Sequence, residues 1–123
     1  MDAKFYIDKY LGKKFGEGSS GCFLFVKHFY QEEFGIDLVN DYLEMLTVFR
    51  EIKKVPEFGD IVVIRNHPMI PNHIGVYLAG GEFLHGGATL DHDEVILSRT
   101  DDPLHGKRIM GFLRHPGVVF TKW

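Results

Sequence analysis

Three side chains that could do chemistry together stand far apart in this chain. Cys22 is its only cysteine. It sits in "GEGSSGCFLFVKHFY", directly after a glycine and serine loop and directly before an apolar run. His73 and His85 lie twelve residues apart in "PNHIGVYLAGGEFLHG". A thiol attacks as the thiolate, and a free thiol with a pKa of about 8.5 is only a few per cent ionised at neutral pH. On the first turn of a helix starting near Cys22, the unsatisfied N–H groups and the dipole would favour the anion, and a nearby imidazolium would favour it further. Histidine suits the role of base because its pKa lies near neutrality. A strand, a tight turn and a returning strand would put both rings on one side of a hairpin, where His85 could orient His73.

Plainer readings of the same residues exist. Cysteine is often just a small buried residue, here one that begins an amphipathic helix. A histidine on a half-buried strand is often only hydrogen-bonded. His85 with Asp91, His92 and Asp93 could form a weak metal site, although no HExxH or comparable spacing supports one. His28, His67, His105 and His115 have no evident partner in the sequence.

The elements that must position these groups change character at Pro56. Before it, the spacing predicts helices over Asp2–Lys14, Cys22–Phe34 and Asp41–Ile52. Cys22, Phe25, Val26, Phe29, Tyr30 and Phe34 follow i, i+3, i+4 spacing, Gly35 stands where a helix stops, and Asp41 with Glu44 resembles a capping box. After Pro56, "GDIVVIRN", "NHIGVYLA", "EFLHGG", "DEVILSR" and "IMGFLRH" read as short strands separated by turn residues. Gly80 and Gly81 between two of them are a two-residue hairpin signal. Helices first and a strand meander second imply an α+β fold, with helices packed on one antiparallel sheet. The face Phe25, Val26 and Phe29 is expected to pack against strands containing Val62, Ile64, Val76 and Leu78.

The chain has 123 residues, which fits one domain over 1–123 with a real core. A formal net charge of −3 argues against a nucleic-acid-binding domain. One cysteine makes no internal disulfide. No apolar run approaches the roughly 20 residues that span a bilayer, so membrane insertion is not expected. The start "MDAKFYIDKYLGKKF" does not read as a signal peptide.

Taken together, these segments resemble the NlpC/P60 family of papain-like cysteine peptidases over almost the whole chain. "YLGKKF" is similar to the family's opening segment, "GCFLFVKHFYQEEFGIDL" to its cysteine helix, "EFGDIVVIR" to its PGD strand and "NHIGVYLAGGEFLH" to its histidine hairpin. "RTDDPLHGKRIMGFLRHP" resembles the ending of members associated with phage tails. The resemblance implies Cys22 as nucleophile, His73 as base and His85 as the residue that orients it, with the Cys22 N–H as an oxyanion donor. It implies no metal and no cofactor. The implied substrate is the peptidoglycan stem peptide, cut between γ-D-glutamate and a diamino acid.

Three positions near the thiol depart from the family pattern. Gly21 replaces the aspartate before the cysteine, Phe23 the serine after it, and Phe15 an upstream tyrosine whose hydroxyl supports the reacting carbonyl. Phe15, Gly21 and Phe23 are therefore the expected substrate-binding positions. The tail-type ending implies phage tail-tip proteins as partners and the virion tail as location, with action at the host cell wall. The competing expectation is a structural tail-tip module that keeps a peptidase-like fold with weak or no activity.

Overall fold

A computed structural model describes residues 3–15, 18–38, 49–52, 55–65, 73–86, 94–102 and 108–117. Two helices, α1 (Ala3–Tyr10) and α2 (Gly18–Phe34), precede six strands: β1 (Arg50–Ile52), β2 (Ile61–Ile64), β3 (His73–Ala79), β4 (Glu82–His85), β5 (Ile96–Arg99) and β6 (Ile109–Arg114). The strands form one sheet in the order β1-β6-β2-β3-β4-β5, and every pairing is antiparallel. The expected α+β architecture is present.

Helix α1 ends earlier than the sequence spacing suggests. Gly12 has a φ of 84°, and its N–H donates to the Val95 carbonyl at 2.9 Å, while the Val95 N–H returns to Lys13 at 2.7 Å. Residues 12–14 thus leave the helix to bridge the strand region at Glu94. At the other end of α2, Gly35 takes a left-handed φ of 66°, as its position predicts, and the N–H groups of Gly35 and Ile36 return to the carbonyls of Gln31 and Tyr30.

The helix expected over Asp41–Ile52 is corrected at its end. Arg50, Glu51 and Ile52 pair with Arg114, Leu113 and Phe112 of β6 as an edge strand, and residues 39–48 lie outside the described residues. Pairing with a distant strand overrides the local helical spacing there.

The sheet has two buried faces. Toward α2, Phe25, Val26 and Phe29 pack in one core with Ile61, Ile74, Val76, Leu78 and Leu84, flanked by Val63, Leu97 and Leu113. On the opposite face Val62, Ile64, Tyr77 and Phe83 form a second core, with Ile109 and Phe112 against it. Both strands reach the helix-side core as expected, β3 through Val76 and Leu78 and β2 through Ile61, while Val62 and Ile64 point to the other face. The register explains this. Ile61 pairs with Val76 and Val63 with Ile74 on the helix side, so the alternating Val62 and Ile64 pair with Gly75 and His73 on the other.

One buried polar cluster anchors the start of β2. Asp60 is fully buried and accepts two bonds from Arg114, Nε to Oδ1 at 2.9 Å and Nη2 to Oδ2 at 2.8 Å. It also accepts the Glu57 N–H at 2.7 Å. Beside it, Gly59 has a φ of 90°, its carbonyl accepts the Tyr30 hydroxyl, and a Cβ there would fall 2.6 Å from the Phe34 ring. The "GD" pair is therefore a joint between α2, β2 and β6.

Candidate active site

Helix α2 begins at Gly18, four residues before Cys22. The thiol therefore stands on the second turn, not the first. In a helix that starts there, the Cys22 N–H has the Gly18 carbonyl as its intrahelical partner, so it is not one of the orphan donors of the terminus. Cys22 is fully buried, and burial pushes its thiol up to about 11, against the direction expected of a helix N-terminus. The backbone N–H groups of Ile74, Phe23 and Cys22 itself pull the other way, and burial outweighs them. The Ile74 N–H places the sulfur at the start of β3, next to the residue that follows His73.

His73 is the first residue of β3 and His85 the last of β4. The turn between them takes φ of 59° at Gly80 and 86° at Gly81, the two positive values of a tight hairpin turn. Register then fixes the faces. Val76 pairs with Leu84 and Tyr77 with Phe83, so His73, Gly75 and Tyr77 share a face with Phe83 and His85. The two rings meet there, with His73 Nε2 and His85 Nδ1 2.6 Å apart, both residues being buried. The expected histidine pair is thus formed. Its ring planes lie 75° apart, and Phe83 covers His85 with ring centroids 5.0 Å apart.

Two residues that the sequence did not single out complete this arrangement. Gly75 stands opposite His85. A Cβ at Gly75 would lie 2.7 Å from the Leu84 carbonyl oxygen, 3.0 Å from the His85 Cβ and 3.1 Å from Phe83 Cδ2. The absence of a side chain is what lets β4 bring His85 against β3. Ser98, on β5, lies 2.8 Å through its Oγ from His85 Nε2, and it is buried. It pairs in register with Phe83, so it faces the same side as both histidines. The alternation in "ILSR" could have signalled its face but not its partner.

The three substrate-binding expectations have different outcomes. Phe23 is buried in the helix-side core, and its N–H is directed at the sulfur. Phe15 packs on Phe25 and His28 with ring centroids 5.6 and 5.3 Å apart, one and two turns farther along α2 than the thiol. Gly21 lies within α2. The metal alternative loses His85, because its two ring nitrogens face His73 and Ser98. Asp91, His92 and Asp93 lie outside the described residues, and among those described no group of three His, Cys, Asp or Glu could hold a metal ion.

Comparison with known proteins agrees with this fold. An NlpC/P60-family protein of Staphylococcus aureus, described as similar to lipoprotein, matches with a TM-score of 0.66 and 18% identity. The match covers 91% of this chain and 39% of that one. NlpC1 of Trichomonas vaginalis matches with a TM-score of 0.64 and 19% identity, over 92% of this chain and 42% of its own. The chain thus spans about two fifths of the length of these relatives. No curated protein matches it. The NlpC/P60 family model matches residues 12–114, spanning the thiol, both histidines and the Asp60 joint, and the chain belongs to the NlpC/P60 family.

Proposed function

We propose that this domain is a cysteine endopeptidase that cleaves peptidoglycan stem peptides, at the bond between γ-D-glutamate and a diamino acid. Its family comprises cysteine peptidases and amidases that act on peptidoglycan. The observation that carries the reading for this chain is the buried His73–His85 pair at the end of β3 where the Cys22 sulfur accepts the Ile74 N–H. Because burial holds the resting thiol neutral, no standing thiolate is required. His73 takes the thiol proton through Nδ1, the nitrogen across the ring from His85, as sulfur attacks the carbonyl carbon. The tetrahedral intermediate collapses with cleavage of the C–N bond, and His73 returns the proton to the leaving amine. Water then attacks the thioester, giving up a proton to the same ring, and the thiol is regenerated. The N–H groups around sulfur stabilise the negative charge as it develops.

The burial of Cys22, with Phe15 and Gly21 at positions where the family carries polar groups, favours a second reading, a structural module with weak or no activity. Digestion of purified peptidoglycan by wild type, Cys22→Ala and His73→Ala, read by mass spectrometry, separates the two. Wild type should release stem-peptide fragments and neither variant should. Activity in Cys22→Ala equal to wild type would sink the peptidase reading. Placement at a phage or phage-like tail tip belongs to the same proposal and rests on the ending "RTDDPLHGKRIMGFLRHP". Purified particles should then contain the protein.

A further inference from the structure

The histidine pair does not end at His85. Ser98 Oγ lies 2.8 Å from His85 Nε2, on the third strand of a row in which β3, β4 and β5 each supply one polar side chain to the same face. We infer that Ser98 is a positioning residue for the proposed reaction, the acceptor that closes the chain His73–His85–Ser98 and holds His85 in the tautomer that supports a protonated His73. The inference rests on the peptidase reading above.

Proton bookkeeping leads to it. Two neutral imidazoles facing each other through Nε2 and Nδ1 share one proton, and it can sit on either ring. While His73 is neutral, a serine hydroxyl can serve either arrangement, as donor or acceptor. Once His73 has taken the thiol proton, both of its nitrogens carry hydrogen. His73 Nε2–H must then donate to His85 Nδ1, and the proton of His85 must be on Nε2, where it needs an acceptor. Ser98 Oγ is in place for that. The opposite arrangement, with Ser98 donating to His85 Nε2, puts hydrogen on His85 Nδ1 facing the His73 N–H and is incompatible with the charged base. All three residues are buried, so the match counts for more than it would in water.

Ile64 of β2 lies beside His73 in register, and the neighbouring residues on that face, Val62, Phe83, Ile109 and Phe112, are apolar. Among the described residues, the titratable groups on the elements packed there are His85 on β4, Cys22 on α2 and Tyr77 farther along β3. The Tyr77 hydroxyl is engaged at the other end of the strand by the Gly81 N–H at 2.8 Å.

The test uses Ser98→Ala and Ser98→Thr in the intact chain, with ring-nitrogen NMR of the histidines beside hydrolysis of a defined stem peptide. In wild type, His85 should carry its proton on Nε2. Ser98→Ala should move it toward Nδ1, lower kcat by roughly 10–100-fold with little change in KM, and move the acid limb of the pH–rate profile down by roughly half a unit or more as the base weakens. Ser98→Thr keeps the hydroxyl and should restore both tautomer and rate. Unchanged tautomer and acid limb in a folded Ser98→Ala protein would overturn the inference, as would a Ser98→Thr protein as impaired as Ser98→Ala. If wild type shows no Cys22-dependent hydrolysis, the peptidase reading fails instead, and the tautomer measurement still decides whether Ser98 holds His85.

Discussion

Gly75→Ala is the most direct perturbation of the way the sheet brings its two histidines together. The new Cβ would lie 2.7 Å from the Leu84 carbonyl oxygen and 3.0 Å from the His85 Cβ. To reach ordinary contact, β4 must retreat from β3 by several tenths of an ångström at the two residues that carry His85. The 2.6 Å approach of the histidine nitrogens cannot survive that retreat unless β3 moves as well. Overpacking of this kind costs about 1–3 kcal/mol, which for a domain of this size lowers Tm by roughly 3–15 °C. Loss of orientation at the base should reduce hydrolysis by roughly a hundredfold. Gly111→Ala is the control. Gly111 is also a strand glycine, its φ is not positive, and a Cβ there meets nothing within 4 Å. That variant should be neutral, or stabilised by up to about 1 kcal/mol through the unfolded state. Thermal unfolding and a hydrolysis assay on both variants decide the matter. A Gly75→Ala protein with wild-type Tm and rate, or a Gly111→Ala protein equally damaged, would refute the reasoning.

Two further outcomes are expected. The Cys22 thiol should titrate near 11, so alkylation at neutral pH should run roughly a hundredfold slower than at an ordinary thiol near 9.0; reaction at pH 6 faster than free cysteine would contradict it. Because the folded value is raised, the stability from keeping this thiol neutral is fully present below about 9 and is lost as pH rises through about 11, and Cys22→Ala should remove that part of the alkaline loss. Asp60→Ala should cost about 1–3 kcal/mol, since it removes two bonds from Arg114, which keeps Glu57 at 3.3 Å, and leaves the Glu57 N–H without its acceptor, and a chemical denaturation midpoint close to wild type would refute the joint described above.

Much of this was legible because it is local. The strands after Pro56 and the Gly80–Gly81 turn follow from short-range pattern and turn chemistry; the meeting of His73 with His85 needs in addition the register shift between Tyr77 and Ala79. What was missed depends on contacts between distant segments. "IVVI" is apolar at every position, so alternation cannot say which pair faces the helix; Ile61 and Val63 do because of their partners on β3. Arg50–Ile52 is a strand because β6 is beside it. Ser98 matters through the β4–β5 register, which no local signal sets. Gly18–Gly21 reads as loop because each glycine costs a helix about 1 kcal/mol, yet it forms the first turn of α2. That early start moves the thiol off the terminus, and the expected lowering of its pKa gives way to burial.

The meeting of the two histidines is a consequence of register carried across the sheet. His73, His85 and Ser98 are each buried and polar, a costly combination unless every member finds a partner. They find each other along diagonals. His85 lies opposite Gly75, two residues from His73, and Ser98 pairs with Phe83, two residues from His85. A slip of one residue in either pairing would turn His85 or Ser98 toward α2, into the apolar core of Val76 and Leu84. The fold therefore resists slippage through the same bonds that align the proposed base. At the turn Ala79 pairs with Glu82, and a one-residue shift between Tyr77 and Ala79, beside the Tyr77 hydroxyl that accepts the Gly81 N–H, sets the register in which His85 faces Gly75. The histidine contact reads that register out at the other end. The irregularity between Tyr77 and Ala79, next to the turn, thus decides whether the two histidines share one face of the sheet.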